Sequence, residues 1–343
     1  MISLPYEKIT GNLEPVVSLG SEDLDYFRGK TIIVTGAGGT IGSRIYEHLT
    51  SVPNVKLIAV DHDENALHSL SLATTSTALF QDSSMHLLDI RDVFGIEKLF
   101  KNFQPDQVFH CAALKHLAIL ENNPREAYQT NVIGTNNLVN AANKFKVGGF
   151  LNISTDKAVS PTSILGLTKR VSELIVSKSR EIENSNYTSV RFGNVFNSKG
   201  SVIETFSHQI QQGKTITLTD PLMMRYFMHI DEAACLAIKA AVINAGDVHI
   251  LDMGKPVYLV EVIKRLQAHF GTNLEVVVTG ARKGEKLDED LMHEFEIAKE
   301  TLHKKIRAYT STNRYENTIR EDYDISDKEI VNLLHSIIAQ SGH

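Results

Sequence analysis

The segment Lys30–Gly36, KTIIVTG, is a β-branched apolar run that stops on a glycine, and AGGTIG leads from it directly into TIGSRIYEHLTSV, where apolar residues recur at helical spacing. A buried strand, a glycine turn and a helix in immediate succession leave few folds open. VKLIAVD repeats the strand signal and the helical ENALHSLSLA follows it. MHLLDI, DQVFHCAA, GGFLNIST and YTSVRFGN read as further short strands, with DVHILDMG as a later one. The intervening REAYQTNVIGTNNLVNAANKF and ILGLTKRVSELIVSKSREI read as helices. Strands alternating with helices require parallel pairing through right-handed crossovers. The fold class expected is therefore α/β, a Rossmann-like doubly wound parallel sheet.

After Asn194 the rhythm loosens. TFSHQIQQGK, YLVEVIKRLQAHF and DKEIVNLLHSIIAQ read as helices, and TITLT and LEVVVTG as short strands among them. We expect an N-terminal arm over 1–28 and a dinucleotide-binding domain over 29–193 with a later return around 223–254. A smaller, interleaved C-terminal substrate-binding region is expected over 194–222 and 255–343. The polar stretch SLATTSTALFQDSS is expected to include a loop, and there is no internal repeat. At 343 residues, with 42% hydrophobic and 22% charged residues, the chain can bury a full core. A formal net charge of -6 offers no basic footprint for nucleic acid. Cys111 and Cys235 form no metal-spaced cluster, so no metal site is expected and a reducing cytoplasm is the simpler setting. The start, MISLPYEKITGNLEPVV, has neither a basic beginning nor an apolar core, and no apolar run approaches the ~18 residues of a membrane span.

Gly36, Gly39, Thr40, Ile41 and Gly42 fall where the first strand passes into its helix. Glycines there let backbone approach a pyrophosphate, and the helix N-terminus supplies NH groups and a favourable dipole. Asp61 ends the second strand, where a carboxylate binds adenosine ribose hydroxyls and repels a 2′-phosphate, pointing to NAD. The alternative for Asp61 is a helix cap, in competition with Asp63 and Asn65. Asp89 and Ile90 follow the third strand, in place to flank an adenine. Ala112 and Ala113 end the fourth and allow either close approach to a cofactor or tight packing.

Ser154, Thr155, Asp156 and Lys157 follow the fifth strand, at the carboxyl edge where such sheets bind ligands. An acid beside a base near a nicotinamide suits paired proton transfers, whereas the plain alternative is a loop salt bridge. In many nucleotide-cofactor enzymes a Tyr precedes a Lys by four residues at the start of the next helix. In SPTSILGLTKR the Lys is Lys169 and the other position holds Leu165, which neither gives nor takes a proton.

VTGAGGTIGSRI, HCAALKHLAILENNPREAYQTNVIGTNNL, STDKAVSPTSILGLTKR, VRFGNVFNSKGSV, RYFMHIDEA, LDMGKPV and TGARKGEKL follow one another in this order. Together they resemble the nucleotide-sugar 4,6-dehydratase branch of the extended short-chain dehydrogenase/reductase superfamily. Within it, the chain is most similar to the polysaccharide-biosynthesis proteins that act on UDP-N-acetylglucosamine. GNLEPVV resembles the lead-in to the catalytic domain of larger members, and some members share an apolar residue at the position of Leu165.

The resemblance implies a lyase with a recycled NAD. Hydride leaves carbon 4 of a UDP-sugar, water is lost across carbons 5 and 6, and hydride returns to carbon 6. By position, Lys157 is then the base at carbon 5, neutral when it acts and so lowered in pKa by burial or by cations such as Lys169. Asp156 is the acid for the departing hydroxyl and, through Thr155 or a water, the acceptor of the carbon-4 hydroxyl proton. Thr155 bonds the carbon-4 oxygen, and Lys169 holds the nicotinamide ribose. Asn194 and Arg225 are placed near the diphosphate, Glu285 near the uridine ribose and Lys115 within reach of substrate. Residue by residue, the plain alternatives are an ion pair of Arg225 with Asp231 or Glu232, a surface charge for Glu285 and a solvated Lys115. Lys283 departs from the pattern, standing in RKGEK where the family has proline. A soluble catalytic unit that forms a homo-oligomer is the further expectation. The rival readings are a nucleotide-sugar 4-epimerase, which needs no acid–base pair for carbons 5 and 6, and a non-catalytic NAD- or nucleotide-sugar-binding protein silenced at Leu165.

Overall fold

A computed structural model describes residues 4–13, 18–76, 84–183, 185–301, 303–311, 319 and 325–341. Part of the loop expected in SLATTSTALFQDSS (77–83), part of the GNLEPVV lead-in (14–17) and the first three residues of the arm lie outside them. The strands are β1 Thr31–Thr35, β2 Lys56–Asp61, β3 Met85–Leu87, β4 Gln107–His110, β5 Gly149–Ile153, β6 Asn186–Arg191, β7 Val248–Leu251, β8 Glu296–Lys299 and β9 Ile306–Ser311. They form a nine-stranded sheet in the order β8-β9-β7-β6-β5-β4-β1-β2-β3. From β3 to β7 every pairing is parallel, whereas β9 runs antiparallel to both β7 and β8. Strand order reverses between β1 and β4, which opens a crevice at their carboxyl ends.

Strand alternation sends side chains to both faces, and each face meets helices. The principal helices are α1 Thr40–Leu49, α2 Glu64–Thr75, α3 Val93–Phe103, α4 Gly134–Lys144, α5 Ile164–Glu183, α6 Val202–Gln211, α7 Ile230–Val242, α8 Leu259–Phe270 and α9 Asp327–Gln340. Ile32 and Val34 pack with Ile45 and Leu49 of α1 and Ala233 and Ala237 of α7. Ile33, between them, packs with Val171 and Leu174 of α5 and Leu334 of α9 on the opposite face. Burying such a side chain fully contributes about 1.5–3 kcal/mol. A third cluster joins Leu4, Tyr6 and Ile9 to α6 and α8, and there Tyr6 donates its hydroxyl to the carbonyl of Phe227 at 2.7 Å. Ile216–Leu218 and Val276–Val278 form a separate parallel pair in that layer.

Two features depart from the sequence reading. The helix expected across 125–145 is interrupted by a π-helical turn at Tyr128–Ile133, a shift of hydrogen-bond register that apolar spacing does not reveal. The β8–β9 addition to the sheet also carries no strong strand signal, because three of the four β8 residues are exposed and its composition is mostly polar. Among the described residues no helix is long and apolar enough to cross a membrane.

Candidate active site

A cleft of about 540 Å³ opens at the carboxyl edge of the sheet. One wall is the start of α1: Gly36, Gly39, Thr40, Ile41 and Gly42 all line it. Gly36 has φ +63°, and a Cβ on it would stand 2.6 Å from the backbone N of Ala112. A Cβ on Gly42 would stand 2.2 Å from the carbonyl oxygen of Gly36. The turn therefore closes only with glycine at both places. Gly39 caps α1 without any side-chain hydrogen bond, so the first amides of the helix face the cleft uncapped. Asp61 lies buried behind this turn and accepts from the amide of Gly38 at 2.9 Å and from that of Asp63 at 3.1 Å. The helix cap considered for Asp61 is made instead by Asp63, which accepts from the amides of Asn65 and Ala66.

Further round, Ala113, Lys115 and Asn194 line the cleft, and Lys115 is exposed. Ala112 is not part of the cleft lining; its backbone packs against Gly36, the tight-packing alternative considered for it. Ile90 is buried against Gly134, while Asp89 is tied up by Arg91, whose guanidinium approaches to 2.6 Å.

Another part of the lining brings together the acid–base candidates. Thr155, Lys157, Leu165 and Lys169 belong to it. Asp156 is 0% exposed, and its Oδ1 accepts from the Thr155 hydroxyl at 2.9 Å and from Lys157 Nζ at 3.0 Å. Among the described residues its Oδ2 has no hydrogen-bond partner, and a Cβ on Gly193 would come within 2.9 Å of it. A buried carboxylate oxygen left unbonded is costly. Lys169 is only 4% exposed and lies 3.4 Å from the side-chain oxygen of Asn152, so it is not a solvated helix residue. Burial brings its ammonium down to about 8, with Glu173 and Cys111 pulling the other way. Leu165 is 6% exposed and belongs to the apolar core as well as to the cleft wall.

One expectation is reversed. The sequence reading has the Lys157 pKa lowered by burial or by nearby cations such as Lys169. Burial does act downward on it, but Asp156 and Glu289 outweigh that and the pKa is raised; the opposing cation is Arg225. The two-carboxylate environment is the physical reason.

The two remaining substrate candidates lie away from the cleft lining. Arg225 is buried and donates to the carbonyls of Met224, Leu287 and Lys286 at 2.6, 2.9 and 2.9 Å. It pairs with neither Asp231, held by Arg44 at 2.6 Å, nor Glu232, held by Lys305 at 2.6 Å. Glu285 is half-buried and closes a turn by accepting from the amide of Arg282 at 3.0 Å. Lys283, the departure from the proline pattern, is exposed and lies 3.4 Å from Glu121.

Residues 32–311 match the family model described as polysaccharide biosynthesis protein. The chain belongs to this family. The probable polysaccharide biosynthesis protein EpsC of Bacillus subtilis is 39% identical over 300 residues, covering 85% of this chain and 50% of that protein. The capsular polysaccharide biosynthesis protein CapD of Staphylococcus aureus is 37% identical over 309 residues, covering 88% and 51%. The chain thus spans about half the length of these two curated relatives. A UDP-glucose 4-epimerase of Rickettsia rickettsii is 33% identical over 282 residues, 80% of each chain. The solved structure of Pen from Bacillus thuringiensis superposes with a TM-score of 0.74 at 30% identity, over 91% of this chain and 98% of that one.

In this member of the polysaccharide biosynthesis family, several residues at the site went unread in the sequence. Asn131, on the π-helical turn, clasps Leu114 by accepting from its amide at 2.8 Å and donating to its carbonyl at 3.0 Å. Ser154, which the sequence already placed at the sheet edge, lines the cleft and donates to Glu173 at 2.6 Å, whereas Glu173 itself went unread. Glu173 belongs to a buried group with Arg170, Arg191 and Glu296. The available signal was the charge of Lys169, Arg170 and Glu173 within the largely apolar first half of α5. Glu289, buried 3.3 Å from Lys157, had no such signal, because Asp288 and Asp290 flank it.

Proposed function

We propose that the chain is an NAD-dependent nucleotide-sugar 4,6-dehydratase acting on a UDP-N-acetylhexosamine, UDP-N-acetylglucosamine first among them. The observation that carries this reading is the buried Asp156, bonded at one oxygen to both Thr155 and Lys157, which line the same cleft as the uncapped start of α1. An epimerase has no need of a second acid–base pair beside the sugar.

The glycine turn fits a dinucleotide: the α1 amides would hold the pyrophosphate and Asp61 the adenosine ribose, with Asp89 and Ile90 near the adenine. A nicotinamide held there beside Lys169 would supply a reversible hydride acceptor for carbon 4, the same hydride then being available to carbon 6. Thr155 bonds the carbon-4 oxygen and passes its hydroxyl proton to Asp156, the direction in which its hydroxyl already donates. Lys157 takes the proton from carbon 5 and Asp156 gives its proton to the departing carbon-6 hydroxyl; as hydride reaches carbon 6, Lys157 returns a solvent-exchanged proton to carbon 5. Lys169, already depressed by burial, holds the nicotinamide ribose and adds positive potential. In this scheme the proton duty of the usual tyrosine falls to Asp156 through Thr155, and Leu165 is a wall. Asn194 and Lys115 face the substrate; Arg225 and Glu285 shape the nucleotide end.

The test is proton NMR of UDP-N-acetylglucosamine with the purified protein and NAD in deuterated buffer. A 4-keto-6-deoxy sugar nucleotide carrying deuterium at carbon 5 is the expected product. The second reading, a 4-epimerase, draws on the likeness to the Rickettsia protein named for that activity. Conversion to the carbon-4 epimer, with carbon 6 intact, would favour it.

A further inference from the structure

Glu289 stands between two exposed acids, yet its side chain is 4% exposed where that of Asp290 is 67% exposed. Its Oε1 lies 3.3 Å from Lys157 Nζ, whose other acidic neighbour is Asp156 Oδ1 at 3.0 Å. Its Oε2 has no hydrogen-bond partner. Burying a carboxylate this incompletely satisfied costs several kcal/mol before any gain from its partner. The surroundings hold it there. Arg225 spends its guanidinium hydrogen bonds on the carbonyls of Met224, Lys286 and Leu287, fixing the segment that presents Glu289, and stands 3.9 Å from the carboxylate.

We propose that Glu289 is a positioning residue for the base: it shares the Lys157 ammonium with Asp156, holds the amine at the cleft wall and sets the pH at which that amine becomes neutral. This rests on the reading that Lys157 takes the carbon-5 proton. The charged groups facing Lys157 are Asp156 from its own turn, Glu289 from the segment after Leu287, and Arg225 from the short strand Met224–Arg225. Two carboxylates against one guanidinium favour the ammonium, and the raised Lys157 follows that balance despite burial. Burial pushes Glu289 itself upward, against the pull of Lys157. A base that must be neutral is thus kept charged in the ligand-free protein for as long as both carboxylates face it.

Glu289→Gln, nearly isosteric, and Glu289→Asp, which retracts the charge, test this in two ways. The first needs no turnover: the pH dependence of Lys157 acylation in the ligand-free protein, read by mass spectrometry. Its midpoint should shift to lower pH in the glutamine variant and by less in the aspartate variant. The second is the pH profile of deuterium entry at carbon 5, whose acid limb should shift the same way. A natively folded Glu289→Gln protein with an unmoved midpoint, changed only in KM, would overturn the inference. Should that variant not fold, the aspartate variant carries the same sign. If wild type exchanges no carbon-5 proton while the midpoint still moves, the dehydratase reading fails and the hold of Glu289 on Lys157 stands.

Discussion

Thr155, Asp156 and Lys157 are consecutive, yet Asp156 is sealed from solvent while its neighbours line the cleft. The 3₁₀ turn at Asp156–Ala158 turns the carboxylate inward, and Thr155 accepts from the amide of Lys157 at its start. Asp156→Asn keeps the shape and removes the proton acceptor. Turnover should fall by about 10²–10⁴-fold with the fold unchanged, and steady-state kinetics beside circular dichroism would check it. Lys169 makes the opposite bargain with stability. Its folded pKa of about 8 lies below the ordinary lysine value of 10.5, so the unfolded chain binds this proton more tightly. Between those two values the unfolded state holds more protons and stability rises with pH; below about 8 the penalty is present in full. Lys169→Met should therefore abolish activity while raising the pH 7 melting temperature of the ligand-free protein, by about 1–2 °C for each kcal/mol removed in a chain of 343 residues. Its melting temperature should also stop climbing between pH 8 and 10, a profile that thermal scans would read. A melting temperature lowered at pH 7 would refute the account.

The seam between β1 and α1 is the element whose geometry leaves least freedom. Gly42→Ala would drive a Cβ into the Gly36 carbonyl, and relief requires the whole turn to move. We expect a loss of about 1–3 kcal/mol in stability and a matching fall in NAD affinity, measured by denaturant unfolding and by calorimetric titration. At Gly39 the only close neighbour of a Cβ is the same carbonyl at 3.1 Å, so Gly39→Ala should cost less in folding. This seam was legible because strand, glycines and helix each leave a local signature, and the parallel strands up to β7 were legible for the same reason. The π-helical turn was not: Asn131 and its neighbours keep helical spacing whether the backbone bonds skip four residues or five. At the site, the residues after β5 announced themselves through position at the sheet edge. Glu289 did not, since only tertiary packing separates it from Asp288 and Asp290.

Across the whole molecule, one buried ionic group ties the chemical wall to the late strands. Arg191 of β6 bonds Glu173 of α5 at 2.7 Å and Glu296 of β8 at 2.7 Å, while Arg170 reaches Glu173 at 3.1 Å. Two arginines balance two glutamates, all but sealed from solvent. The helix that carries Leu165 and Lys169 is thereby fastened both to the sheet interior and to its far edge, and Ser154 extends the link to the cleft. Burial alone would raise the Glu173 carboxyl, but Arg191, Arg170 and Ser154 bring it down to about 2. A carboxylate depressed in the folded state contributes its full stability above the ordinary glutamate value of 4.5, and loses it as pH falls from there through about 2. Glu173→Gln leaves two buried guanidinium groups facing one carboxylate, a break that typically costs about 3–5 kcal/mol. Urea unfolding at pH 7 should show that loss, and the difference between variant and wild type should shrink as pH falls below 4.5. A difference independent of pH would mean that Glu173 acts by packing alone, and the wall that holds Lys169 would then owe its position to the apolar contacts of α5 rather than to charge.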